Sequence, residues 1–248
     1  MLFDAHLHIV DPRFPLVAND GYVPEPFTVA DYRERTAALD VRGGAVVSGS
    51  FQAFDQSYLV DALERLGPGF VGVTQLPATA PDEQILELDR AGVRAVRFNL
   101  VRGGSAGLAD LELLAGRAFA LAGWRAELYV DGRDLPDLEP RLARLPRASV
   151  DHLGLHRDGL AALLRLARRG VKVKASGFGR AELDVPATLR AIAAADPGAL
   201  LFGTDLPSTR APRPFADADV ELVTAALGPD LARAALHDNA AAWYGVSR

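Results

Sequence analysis

The sequence predicts an α/β protein, a single (β/α)8 TIM barrel. Three observations predict it: eight short β-type runs recur through the 248 residues, segments of helical spacing separate them, and no shift of composition divides the chain. Alternating strand and helix demands a parallel sheet, and about 31 residues per repeat is close to the roughly 30 of one βα unit with its loops. Eight such units favour closure into a barrel, with an open doubly wound sheet as the rival. The absence of a GxGxxG turn after the first strand removes the usual sign of a dinucleotide-binding version of that rival.

Taken in order, the β-type runs lie at 2–9, 44–48, 70–76, 93–100, 125–130, 148–153, 171–176 and 200–204. Helical spacing occupies 29–39, 58–66, 82–91, 108–121, 134–145, 159–169 and 186–195. Gly67, Gly92, Gly123 and Gly170 stand where helices stop and a left-handed cap is wanted. The irregular stretch 11–27 carries four prolines and follows the first strand, so it is expected to fold over the barrel mouth. With no Ser/Gly linker or charge block, one domain over 1–248 is expected.

Composition narrows the function. A formal net charge of -5 speaks against nucleic acid and anionic membranes, which select for a basic excess, and favours a small-molecule partner. The absence of cysteine excludes disulfides, thiolate metal sites and a Cys nucleophile. Met1 runs directly into FDAHLHI without the features of a signal peptide, and no apolar run reaches the roughly 18 residues of a membrane span, so a cytoplasmic protein is expected. Oligomeric state is not encoded in any readable feature.

Residues that carry chemistry gather at the ends of strands. His6 and His8, two apart on the first strand, point to one side, and at the C-terminal end of a barrel strand that side is the central cavity. Asp4 is expected on the same face one layer deeper, orienting an imidazole or a backbone group. Asp205 stands just beyond the eighth strand, beside the first if the barrel closes, where a carboxylate can take a proton from attacking water. A helix cap is the plainer role for it. His152 ends the sixth run in VDHLG and faces the same mouth. His156 divides between surface and substrate, and His237 reads as structural. Arg97, Arg102 and Arg180 follow or lie within strands four and seven as candidate carboxylate binders, with a surface salt bridge as the plainer alternative for any of them, Arg102 above all. Tyr129 offers a hydroxyl or mere packing, and Lys174 an inward charge or a buried ion pair.

These residues sit in FDAHLHI (3–9), VRAVRFNL (93–100), WRAELYVDGRDL (124–135), VDHLG (150–154), KASGFGR (174–180) and FGTDLP (202–207). In that order they resemble the amidohydrolase superfamily, in its amidohydrolase-2 branch, and most closely the 2-pyrone-4,6-dicarboxylate lactonases. The resemblance implies catalytic roles for His6, His8, His152 and Asp205 without a required cofactor, and substrate contacts from Arg97, Arg180, Tyr129, Arg102 and the lid residue Tyr22. Two departures stand out. Those lactonases often continue Asp-Trp-Pro-His where this chain has Asp205-Leu206-Pro207-Ser208, and the histidine that many metal-binding members carry after strand five is here Tyr129, with Glu127 two residues earlier. A binuclear centre is therefore not expected, while one divalent metal such as zinc on His6, His8 and Asp205 remains chemically open. The expected function is water attack on a carboxylated lactone or pyrone, with Asp205 as base and the histidines polarising the carbonyl. The alternatives are a metal-dependent amidohydrolase or nonoxidative decarboxylase of the same superfamily, and a catalytically silent barrel that binds a carboxylated metabolite.

Overall fold

In the computed structural model, described for residues 1–246, eight strands pair in parallel in the order of the chain. They are β1 Leu2–Leu7, β2 Val41–Val47, β3 Phe70–Thr74, β4 Val93–Asn99, β5 Arg125–Tyr129, β6 Ala148–Val150, β7 Lys172–Ala175 and β8 Leu200–Phe202. Between them run α1 Val29–Arg35, α2 Ser57–Leu66, α3 Asp82–Arg90, α4 Leu111–Ala122, α5 Leu135–Leu142, α6 Leu160–Arg168 and α7 Val185–Ala195. After β8 come α8 Ala218–Leu227, α9 Pro229–Arg233 and α10 Asn239–Tyr244. The predicted barrel is thus the observed architecture. Among the described residues no helix is long and apolar enough to cross a membrane.

Closure depends on the seam between β8 and β1. Asp205 N–H donates to the His6 carbonyl at 2.7 Å, and His8 N–H donates to the Leu206 carbonyl at 2.7 Å. Gly203 makes this approach possible: a Cβ there would lie 2.6 Å from the His6 backbone nitrogen. These bonds, just beyond the end of β8, nearly close the sheet and make the first and last predicted strands neighbours, which unites their functional residues.

Alternation along the strands sorts side chains between two cores. Val96 and Phe98 of β4 face outward with Leu114, Leu163 and Ile192 from the helices, all fully buried. Each such side chain contributes about 1.5–3 kcal/mol by leaving water. The lower interior holds Phe3, Ala5, Val47, Val73, Ala95 and Leu201, and α10 plugs it from below with Trp243 and Tyr244. That end is packed shut, so only the opposite mouth is available for chemistry.

The strand limits differ from the sequence reading, in places for identifiable local reasons. β6 stops at Val150 because His152 and Leu153 take left-handed φ of 51° and 55°, and the chain beyond β8 turns at Asp205 with φ of 60°. β2 starts at Val41 and so includes Arg42 and Gly43, which the sequence reading, starting at Gly44, leaves out. In β1 the register with β2 shifts between Asp4 and Leu7, so strict alternation fails there. Ala5 and His6 both face inward, while Asp4 turns to Tyr32 on α1. The expectation that Asp4 shares the face of His6 is corrected by this irregularity.

Candidate active site

The shift in β1 aims His6 and then His8 into the mouth, and the left-handed turns after β6 and β8 bring His152 and Asp205 to meet them. Each of the four is at most 5% exposed. His6 Nε2 lies 3.8 Å, His8 Nε2 3.7 Å and His152 Nε2 4.0 Å from one oxygen, Asp205 Oδ1. Among the described residues, neither that oxygen nor His6 Nε2 has a hydrogen-bond partner. Left-handed backbone in non-glycine residues costs of order 1–3 kcal/mol, a strain concentrated here at His152 and Asp205.

The charge states follow from burial and from one ion pair. Burial holds His6 well below the ordinary imidazole range and lowers His152 to about 4, so both are neutral at pH 7. Burial alone would raise Asp205, but Arg180, whose Nε donates to Asp205 Oδ2 at 2.7 Å, together with the imidazoles of His152, His8 and His6, outweighs it and keeps the carboxyl far below its usual range. Arg180 Nη2 also donates to the Thr209 carbonyl at 2.7 Å. His8 Nδ1 sits 2.6 Å from the Val47 carbonyl, which can only accept, so a neutral His8 carries its proton on Nδ1 and presents a lone pair at Nε2. His152 Nδ1 is tied to Ser176 Oγ at 3.0 Å.

Beneath lies a layer of compensated charge. Lys174 donates to Glu127 and is 3.3 Å from His6 Nδ1 and 3.8 Å from Asp151 Oδ1; Tyr244 donates to the other oxygen of Glu127. Arg97 donates through Nε and Nη2 to Asp151 Oδ2 at 3.3 and 3.0 Å, and through Nη1 to the Ser48 carbonyl at 2.8 Å. Lys174 is therefore in a buried ion pair, and Arg97 reaches the cavity with most of its donors already engaged.

Above the floor opens a narrow cavity lined by His8, Arg97, Tyr129, His152, Arg180 and Asp205. Tyr129 lines it and meets the His152 ring edge-on at 5.1 Å, with the Arg97 guanidinium 5.4 Å from its own ring centre. Arg102 lines the outer wall. The 11–27 stretch lies over the mouth as expected: Val17 N–H donates to the Phe51 carbonyl at 2.8 Å and Asn19 Nδ2 to the Arg102 carbonyl at 3.0 Å. Tyr22 on this lid stacks against Arg210, whose guanidinium carbon is 4.6 Å from the ring centre. His156 does not join the site; its Nδ1 accepts from Asp158 N–H at 3.2 Å and caps a turn. His237 pairs with Asp238 beyond β8, away from the mouth. Ser208 accepts from Phe215 N–H at 3.0 Å within its own loop and does not line the cavity.

Two residues escaped the sequence reading. Asp151 stands beside His152 in VDHLG and was legible as a carboxylate next to a histidine, whereas Arg210 carries no motif. Metal-ligand geometry is met by His6, His8 and Asp205, whose ligand atoms all lie within 4.8 Å of one another, and also by His6, Asp151 and His152. The unpartnered His6 Nε2 and Asp205 Oδ1 and the inward lone pair of His8 fit one divalent cation on the first set.

Imidazoles from β1 and the β6 turn, meeting a carboxylate after β8 at the C-terminal mouth, define a (β/α)8 barrel with a polar site built for small-molecule chemistry. Comparison gives the family: the amidohydrolase profile of the amidohydrolase-2 type matches residues 3–246, and the chain belongs to that family. It is 32% identical over 160 residues to a 2-pyrone-4,6-dicarboxylate hydrolase of Comamonas testosteroni, a match covering 61% of this chain and 51% of that protein. The chain thus aligns with about half the length of that relative. It is 26% identical to a 4-sulfomuconolactone hydrolase of Rhizobium radiobacter over 98% of this chain and 90% of the relative. The crystal structure of an Agrobacterium tumefaciens protein without ligand superposes with a TM-score of 0.87 at 26% identity, covering 99% of this chain and 96% of that one.

Proposed function

We propose that this protein hydrolyses a lactone or pyrone that carries acidic groups, by attack of water on the ring ester. The observation that carries the reading is the convergence of three imidazole Nε2 atoms on one unpartnered oxygen of Asp205 at the floor of an arginine-lined cavity. The names of the relatives, hydrolases of a pyrone dicarboxylate and of a sulfomuconolactone, support the same substrate class. Asp205 orients water and takes its proton; His6 and His152, neutral at pH 7, direct Nε2 at the ring carbonyl and its developing oxyanion. Tyr129 and the arginines hold the acidic substituents. A cytoplasmic location and a single domain over 1–248 belong to the same reading.

The tautomer of His8 favours a second form of this mechanism. A neutral His8 has no proton on Nε2, so it accepts rather than polarises, and together with His6 and Asp205 it would hold a divalent cation. Such an ion supplies a Lewis acid for the carbonyl and acidifies a water to near neutrality. That addition suits a carboxylate held as far down as Asp205, which by itself is a weak base. A screen of acidic lactones and pyrones on metal-analysed protein, with and without chelator, tests both forms. Ring opening by metal-free protein at full rate rejects the cation, activity that needs restored zinc or manganese rejects direct polarisation, and carbon dioxide release rejects hydrolysis.

A further inference from the structure

Lys174 is fully buried and reaches from β7 to a point between Glu127, Asp151 and His6. It donates to one oxygen of Glu127, and Tyr244 of α10 donates to the other, so the ammonium is anchored to the plug at the closed end of the barrel. Its remaining contact is with the floor of the site: Lys174 Nζ lies 3.3 Å from His6 Nδ1.

An ammonium group carries three donors and no acceptor. At hydrogen-bond distance from it, His6 Nδ1 has to accept, because a proton on that nitrogen would set two donors face to face. Asp151 Oδ1, 3.6 Å from the same nitrogen, is the rival partner and would demand the opposite, a proton on Nδ1. That oxygen is beyond hydrogen-bond reach and, among the described residues, has no hydrogen-bond partner of its own. Lys174 therefore takes the nitrogen. The one ring proton of a neutral His6 is left on Nε2, which faces Asp205 Oδ1 at 3.8 Å.

The two imidazoles of β1 thus become opposites. His8, tied through Nδ1 to the Val47 carbonyl, shows the mouth a lone pair, which suits a cation; His6, tied through Nδ1 to the lysine, shows it an N–H, which opposes one. We infer that Lys174 is a positioning residue that fixes His6 as the Nε2–H tautomer, making His6 the oxyanion donor of the site and disfavouring a divalent cation on His6, His8 and Asp205. Without Lys174 the proton can move to Nδ1 and be received by Asp151 Oδ1. His6 Nε2 then becomes a lone pair, completing a set whose ligand atoms all lie within 4.8 Å of one another. The catalytic meaning of the tautomer rests on the lactone-hydrolase reading; the tautomer itself does not.

The test reads the tautomer directly, by long-range proton–nitrogen correlation on chelator-treated protein labelled with 15N-histidine, the His6 ring being assigned by its loss in His6→Gln. Wild type is expected to show Nε2 protonated and Nδ1 bare. The double variant Lys174→Met/Glu127→Gln removes the buried pair together, while Asp151 keeps Arg97 as its partner, and is expected to move the proton to Nδ1 and to bind zinc at least tenfold more tightly than wild type in calorimetry. Glu127→Gln alone disturbs the same layer but keeps the ammonium, and is expected to retain the wild-type tautomer. A proton on Nδ1 in wild type, Nε2–H retained in the double variant, or equal zinc affinity in the two would overturn the proposal. None of these readouts needs a substrate, so protein that opens no acidic lactone defeats the hydrolase reading and leaves the tautomer standing. Where metal-free protein does open one, kcat of the double variant should fall about 10²–10³-fold with KM little changed, the usual effect of losing an oxyanion donor; an unchanged kcat rejects His6 as that donor.

Discussion

Asp4 and Asp205 are both buried at the junction of the first and last strands, yet their surroundings make them opposites. Asp4 sits in the seam, where only neutral donors surround it. Thr204 N–H and His6 N–H donate to Oδ1 at 2.8 and 3.3 Å, and the hydroxyls of Thr204 and Tyr32 donate to Oδ2 at 2.7 and 3.0 Å. With no cation to offset burial, its pKa rises to about 6. Asp205 sits in the mouth with one oxygen on Arg180 and the other without a hydrogen-bond partner, and its pKa falls. A carboxylate whose oxygens are filled by neutral donors is a fastener, and one held ionised with a vacant lone pair is free to serve as the proposed reagent.

The largest effect should come from the reagent. Asp205→Asn should lower kcat/KM by about 10²–10⁴, the usual contribution of a positioned base, while the circular dichroism spectrum stays native. Turnover at the wild-type rate would end the assignment.

The fastener should register in stability. Asp4→Ala strands four buried donors and should cost about 3 kcal/mol in denaturant unfolding, since one unsatisfied buried group costs about 1–3 kcal/mol. Asp4→Asn should cost far less, because its oxygen serves the two backbone donors and both hydroxyls can turn to accept from its amide. If the two variants lose equally, the seam is not held by these bonds.

Titration sharpens the contrast. The folded protein binds the Asp4 proton more tightly than the unfolded chain does, so this contribution is complete below about pH 4 and is lost as the pH rises through about 6. The stability of wild type relative to Asp4→Asn should therefore fall by up to about 3 kcal/mol across that window, at about 1.36 kcal/mol per pH unit. A flat difference would contradict the raised pKa. Gly203→Ala should give the smallest change, about 1–3 kcal/mol of overpacking where its Cβ would meet His6, read as a lowered Tm.

Much of this was legible in the chain. Strand and helix periods gave the barrel, and the local patterns FDAHLHI, VDHLG and FGTDLP gave His6, His8, His152 and Asp205, because strand ends in a closed barrel converge whatever the intervening sequence. Asp4 was misplaced, since a period of two carries no sign of the register shift in β1. Arg97 and Arg180 were recognised as inward cations, but their buried partners were not.

The sequence by itself determined the fold class, the mouth as the place of chemistry, and the residue types that meet there, all of which follow from local periodicity and strand position. Only the tertiary structure decided which charges are spent and which are free. Pairing and burial depend on residues far apart in the chain, as Arg97 with Asp151, Lys174 with His6 and Arg210 with Asn19 show. No local pattern records whether a buried charge has met its partner.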